Sequence, residues 1–485
     1  MTHPTRSASR GARGLGPLPA RLAASALAQE SGVARPDAFD GWFTGFREQS
    51  AVQVERVGFA GLRGWSRDPA SGALRHESGR FFTVEGLGVR LPSGPVPHWD
   101  QPIIHQPETG ILGLLVKDFG GVPHFLMQAK VEPGNRNGLQ LSPTVQATRS
   151  NYTGVHRGRP VPYLEYFRDR SGHRVLADVR QSEQGAWFFR KRNRNMVVEV
   201  TEDVTVHEGF RWMTLRQVHR LLAAEDLVNM DARTVLSCLP LAGPCLYEAL
   251  DAESDTFGGA LVRSCGQEHG ARHALGDLSS WITEARCGTE VGTRRLPLNG
   301  LSGWRSTPER IAHDSGRFFS VIGVDVTARG REVNRWAQPM IEPHGVGVIA
   351  LLVKNIGGVL HALMQTAVEP GYLDVVELAP TVQCVPDSYE VLPAAARPRH
   401  LDRVLSAPAG WIRFDCLLSE EGGRFYHALN RYLIVEVESA EDDDAYEDTD
   451  HRWVTLHQLT VLLRHSHYLN VQARSLVACL RSLLG

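Results

Sequence analysis

The chain is written twice, and that constrains its fold more than any single motif does. Gly79-Arg80-Phe81-Phe82 recurs as Gly316-Arg317-Phe318-Phe319, Trp99-x-Gln101-Pro102 as Trp336-x-Gln338-Pro339, and Glu132-Pro133-Gly134 as Glu369-Pro370-Gly371. Pro143-Thr144-Val145-Gln146 returns at 380–383, Ser182-Glu183 at Ser419-Glu420 and Asn193-Arg194 at Asn430-Arg431. All share one offset, 336 − 99 = 237. Upstream, Trp42 and Trp65 return as Trp281 and Trp304 with an offset of 239. Downstream, Trp212-x-Thr214-Leu215-x-Gln217 returns at Trp453 with an offset of 241. The extra residues of the second copy coincide with the acidic run 441–450, which reads as a solvated loop insertion.

A unit of about 200 residues is far too long for a solenoid repeat, so the duplication implies two homologous globular domains about a pseudo-twofold axis. The expected layout is a disordered tail at 1–36, a first repeat at 37–239, a linker at 240–275 and a second repeat at 276–485. The tail is rich in Arg, Ala, Ser, Gly and Pro, and Arg21 interrupts what would be the apolar core of a signal peptide. Within each repeat the pattern is α+β. The runs 111–116, 346–353, 196–200 and 433–437 have strand length and β-branched residues. Thr214 reads as the N-cap of a helix, and Asp231 and Asn470 as the openings of the last helices. One mixed sheet flanked by helices is expected in each half.

Composition removes several function classes. A net charge of −2 gives no bulk attraction to nucleic acid or anionic membrane. The seven cysteines include no C-x-x-C pair, which fits free thiols in a reducing cytoplasm. No apolar run reaches the length of a membrane span. There is no G-x-x-x-x-G-K-[ST] loop, no strand-to-helix G-x-G-x-x-G unit and no G-x-S-x-G elbow. His269 and His273 have H-x-x-x-H spacing but lack the glutamate of H-E-x-x-H and have no copy in either repeat, so no zinc or other metal site is expected. His124 and His361, each a lone histidine near a strand, read as satisfied core residues.

Where the copies disagree, the sequence runs its own experiment. Core positions keep their character in both copies, whereas chemistry can persist in one. The stretch from Lys130 to His156 is dense in amides, hydroxyls and proton-transferring groups. In the second copy Lys130 becomes Ala367, Asn135 becomes Tyr372 and Ser150-Asn151 becomes Asp387-Ser388; His156 falls opposite Pro393 and Lys191 opposite Ala428. The second copy keeps Glu369, Gln383 and Tyr389. The active centre is therefore expected in the first repeat. Trp65 and Trp304 are candidate platforms for a planar base, with core anchoring as the competing reading. Arg80/Arg317 and Arg194/Arg431 are candidates to meet phosphate, with structural salt bridges of equal weight.

The runs LMQAKVEPGNRNGLQLSPTVQATRSNYTGVHRG and SEQGAWFFRKRNRN, with LAPTVQC and SEEGGRFYHALNRY in the second copy, resemble the NDP-hexose 2,3-dehydratases of deoxysugar formation. The resemblance covers about 37–482, tandem repeat included. It implies a tandem Nudix-like α+β fold in a homodimer without the metal-binding Nudix box; Tyr372 departs from the pattern of the first copy. The implied substrate is dTDP-4-keto-6-deoxy-D-glucose, and the product a 3,4-diketo-2,6-dideoxy sugar nucleotide, formed without a cofactor. Under it, Lys130 stabilises an enolate or acts as base, and Glu132 or His156 moves protons. Tyr152 is a further catalytic candidate, and like Glu132 it has a surviving counterpart that also allows a structural role. Asn135, Gln140, Thr144, Gln146, Ser150 and Asn151 would bind sugar or thymine, and Arg149, Lys191 and Arg192 phosphates. Gln383 would bind in the second copy. A labile diketo product also implies an NADPH-dependent C3 ketoreductase as functional partner. The competing classes are a non-catalytic tandem nucleotide-sugar binding protein and a Nudix-type pyrophosphohydrolase.

Overall fold

The computed structural model describes residues 16–29, 38–50, 52–152, 160–266, 270–328, 333–438 and 442–484. The expected strands are present as Gly110–Phe119, Gly347–Ile356, Arg192–Val200 and Leu429–Glu436. In each half these β-branched runs pair parallel, and the remaining partners in the same seven-stranded sheet are antiparallel. Both faces of the sheet are covered, which is why the strands are continuously apolar rather than alternating. Along Gly110–Phe119, Leu112, Leu114 and Val116 face one core, whereas Ile111 and Leu115 face another.

The first of these cores is shared between the halves. It joins Leu112 and Leu114 of one sheet to Ile349 and Leu351 of the other through a common layer of helices. Helices Met230–Ser237 and Val471–Arg481 pack on each other at its centre. Two fully buried arginines cross there. Arg233 donates to Val228 O and Ser419 O, and Arg474 donates to Leu469 O and Ser182 O. Each satisfies backbone carbonyls of its own half and of the other, as buried charge requires.

The halves also exchange strands. Val52–Val57 of the first repeat pairs antiparallel with Phe319–Ala328 of the second, and Gly292–Leu296 of the second with Thr83–Arg90 of the first. The glutamate-proline-glycine turns interlock as well. Gly134 N donates to Gly422 O at 2.7 Å, and Gly371 N donates to Gly185 O at 2.8 Å. A Cβ on either glycine would sit 1.8 Å from a carbonyl oxygen of the opposite half, so no other residue fits this approach.

Several expectations change. The tail was expected to be disordered, but residues Leu18–Leu27 form a helix with Leu22 and Ala23 fully buried. The expected linker likewise contains helix Phe257–Ser264. These helices are counterparts. Ser25 Oγ accepts from Leu215 N, and Ser264 Oγ accepts from Leu456 N, in both cases capping the start of the following helix's chain. The acidic run is also less solvated than its composition implies. Asp443 pairs with the buried Lys354 at 2.6 Å, and Glu447 accepts from Arg272 and His273.

Thr214 caps its helix with a full capping box, matched by Thr455. The last helices are capped by Asn229 and Asn470, each accepting from the backbone three residues on. Asp231 is therefore not a cap, and its carboxyl goes elsewhere.

Candidate active site

A cavity of about 520 Å³ opens where the first large sheet meets the interlocked loops of the second repeat. Lys130 and Glu132, at the end of strand Val122–Val131, enter it together with Gln146, Ser150, Glu183, Lys191 and Asn193. Asp231 enters from the first turn of its helix, and Trp65 with Phe82 forms an aromatic wall. The second repeat contributes Trp336, Gln338, Glu421, Gly423 and Arg424. Neither half owns the site alone.

Much of this lining is a frame present in both copies. Gln146 Nε2 donates to Glu132 Oε1 at 2.7 Å, and Asn229 donates to Gln146 Oε1 at 3.1 Å. The same chain runs from Asn470 through Gln383 to Glu369. Asn193 donates to Glu183, and Asn430 to Glu420. Gln101 and Gln338 each donate at 2.6 Å to the loop after these glutamates. The repeated motifs are thus scaffold, including the one that holds Glu132.

The unshared positions add further ionisable groups to the shared Glu132 and Glu183. Lys130, whose ammonium donates to Gln146 O at 2.8 Å, stands where the other copy has Ala367. Lys191 donates to Glu108 O and stands opposite Ala428. Asp231 matches Gln472, Glu421 matches Gln184, and Arg424 matches Trp187. Arg424 lies over Phe82 at 4.3 Å, in the place that Trp187 takes beside Phe319. Every one of these ionisable groups faces the first cavity, and every counterpart is neutral. In the second copy the Tyr372 ring packs where a side chain on Gly185 would stand, next to Glu369.

Electrostatics follow from burial and crowding. Burial pushes the Lys191 ammonium down to about 8, with Glu183 and Glu108 opposing. Burial, then Glu132, pushes Glu421 up to about 7 against Arg424. Asp231 is held well above the usual carboxylate range by burial first and then by Glu183, Glu421 and Glu132. Burial also raises Glu183. Carboxyls so placed cannot all ionise together, and the cavity holds exchangeable protons near neutral pH.

The structure gathers Lys130, Glu132, Trp65, Gln146, Ser150 and Lys191 into this cavity. It places other expected site residues elsewhere. Thr144 Oγ1 donates to Leu126 O and accepts from Leu115 N, a strand staple repeated by Thr381. Gln140 accepts from Ser419 at the junction between halves, and Asn135 braces its own turn. Arg80 and Arg149 are exposed, and Arg192 does not line the cavity. Trp304 donates to Asp100 O in the mirror position of Trp65, and Gln383 belongs to the second frame. Arg194 and Arg431 make two-pronged salt bridges to Asp178 and Asp415, so the structural reading holds for that pair. His156 and the side chains of Asn151 and Tyr152 lie outside the described residues. Sequence reasoning missed Asp231, Glu421 and Arg424. The signal was present in their neutral counterparts: Asp231 needs the downstream offset of 241 to be read, whereas Glu421 and Arg424 keep the offset of 237 and lie in the copy where no chemistry was sought.

Known proteins are similar to this chain along nearly its whole length. The profile of the NDP-hexose 2,3-dehydratase family matches residues 37–239 and 275–480. A dTDP-4-dehydro-6-deoxy-alpha-D-glucopyranose 2,3-dehydratase of Saccharopolyspora spinosa is 50% identical over 464 residues, covering 96% of this chain and 95% of the relative. A protein of the same name from Amycolatopsis orientalis is 45% identical, covering 95% and 93%. A third, from Streptomyces violaceoruber, is 47% identical, covering 92% and 97%. With both repeats matched and likeness running nearly end to end, the chain belongs to the NDP-hexose 2,3-dehydratase family.

Proposed function

We infer that this chain removes water across C2 and C3 of dTDP-4-keto-6-deoxy-D-glucose, giving a 3,4-diketo-2,6-dideoxyhexose nucleotide in deoxysugar formation. The observation that carries the reading is the convergence of the unshared ionisable residues on one cavity. The reaction needs such a set. The C4 ketone acidifies the C3 proton, a base removes it, and the enolate oxygen requires a fixed donor. The C2 hydroxyl then leaves with a proton, and the resulting enol becomes the 3,4-dione. Oxidation at C3 and reduction at C2 balance within the sugar, so the chemistry calls for no external redox partner.

In this reading Lys130 holds the enolate oxygen, and its buried ammonium strengthens that contact over the same contact in water. Glu132, fixed by Gln146, stands within the same cavity to exchange the C3 proton. Tyr152 and His156 remain candidates for proton transfer. Trp65 and Phe82 offer apolar faces to the thymine, and Lys191 with Arg424 offers charge to the diphosphate. We further infer a Nudix-like architecture for each half, supported by its mixed sheet flanked by helices. The remaining inferences are a homodimer acting in the cytoplasm and an NADPH-dependent C3 ketoreductase that consumes the labile dione.

The test is mass spectrometry of the sugar nucleotide after incubation with protein, with a C3 ketoreductase and NADPH as trap. The expected product is a 2-deoxy sugar nucleotide that has lost one water before reduction. Tight binding with unchanged substrate would replace this reading by a binding role, and release of dTMP by a hydrolase.

A further inference from the structure

We propose that Asp231 is the general acid that protonates the C2 hydroxyl as it leaves. The proposal rests on the dehydratase reading and deepens it. Asp231 is 3% exposed, lines the cavity and keeps Oδ1 without a hydrogen-bond partner. A buried carboxyl oxygen in that state is costly unless it carries a proton or meets a ligand. Its neighbours are Glu183, Glu421 and Glu132, with Lys130 as the opposing cation. Another full negative charge among them is unfavourable, so the carboxylic acid is the resting form. Glu183 and Glu421 also keep one carboxyl oxygen without a hydrogen-bond partner, but Glu183 is tied through its other oxygen to Asn193 as part of the shared frame, and Glu421 has Arg424 and Lys191 to favour its ionised form. Asp231 is left as the donor.

The duplication supports the assignment. Asn229 and Arg233, which flank Asp231, match Asn470 and Arg474 and make the same bonds. Between them Asp231 alone changes in polarity class from an acid to the amide of Gln472. The backbone does not demand the change. An amide fills the place but has no proton to give.

Loss of the C3 proton leaves its electron pair in the C3–C4 enolate. Collapse of the enolate forms C2=C3 and breaks C2–O. The departing oxygen takes the Asp231 proton and leaves as water, so Asp231 becomes a carboxylate. The enol then gains a proton at C2 and loses one from the C3 hydroxyl. The proton first taken from C3 returns to Asp231 through the cavity, which restores the resting state.

The two bond cleavages can be read separately in deuterium oxide. Asp231→Asn and Asp231→Gln are expected to lower water loss at least about 100-fold, the usual scale of a general acid. Deuterium exchange at C3 of the substrate, followed by NMR against an enzyme-free control, is expected to stay within about threefold of the wild-type rate of C3–H cleavage. A substrate with fluorine in place of the C2 hydroxyl needs no proton to leave, so fluoride release by the variants is expected to approach that of the wild type. Folded variants that still lose water near the wild-type rate would overturn the proposal. So would loss of C3 exchange together with elimination, or failure of the fluoro substrate to rescue. Should the amide variants fail to fold, Asp231→Glu is the second test. Retained water loss with an altered pH profile supports the assignment, and an unchanged rate and profile overturns it. Wild-type protein that releases no water would instead sink the dehydratase reading itself.

Discussion

Thr144 and Lys130 lie a few residues from strand ends that share one sheet, yet their counterparts separate their roles. Thr144 is kept as Thr381 and makes the same two backbone bonds, so Thr144→Val removes a buried staple. It is expected to cost about 1–3 kcal/mol in urea unfolding while kcat/KM holds. Glu377 gives the opposite case. It is fully buried, accepts from Ser182 and stands where the first copy has Gln140. Burial raises it to about 8, so the native state holds a proton that the unfolded chain releases near the usual glutamate value. Its contribution to stability is complete below that usual value and is lost as pH rises through about 8. Glu377→Gln keeps the neutral shape. It is expected to be near neutral at pH 4 and stabilising by several kcal/mol, on the order of 4, at pH 9, read from denaturation midpoints at both. Lys130 and Lys191 were legible in the sequence because their neutral counterparts lie in the constant-offset region. Asp231 was hidden because its register follows the acidic insertion, and Glu421 because chemistry was sought in the first copy alone.

Among the elements, the glutamate-proline-glycine turn locks the halves. Gly134→Ala would place a methyl group 1.8 Å from Phe425 O, a backbone atom that cannot step aside cheaply. The expected loss is on the order of 3 kcal/mol or more, seen as reduced soluble yield and melting temperature. Gly371→Ala is expected to behave alike through Phe188 O. The long apolar strands and the Thr214 helix could be read from sequence, since periodicity and capping chemistry are local. The helix Leu18–Leu27 could not. Its Arg- and Ala-rich flanks mimic a tail, and Arg21 looks misplaced until Glu199, 178 positions away, accepts from it at 2.6 Å.

For the whole molecule, duplication announced two homologous halves but not their entanglement. Strand exchange depends on contacts between Val52–Val57 and Phe319–Ala328, which no local pattern encodes. Each half expressed alone leaves a sheet edge open and half of the shared core exposed. Residues 16–239 and 240–485 are therefore expected to aggregate separately and to be recovered soluble together on co-expression, read by gel filtration. Soluble, folded single halves would contradict the shared-core account. The chemistry is assigned to the composite cavity that the first repeat lines with Lys130 and Lys191. Water loss by a double variant, Lys130→Ala with Lys191→Ala, tests this most directly, since it gives the cavity the second copy's residues at both lysine positions. The fold already tolerates alanine at both equivalent positions. The double variant is expected to fold and to catalyse water loss at least about 1,000-fold more slowly. Wild-type turnover by the same protein would place the chemistry elsewhere.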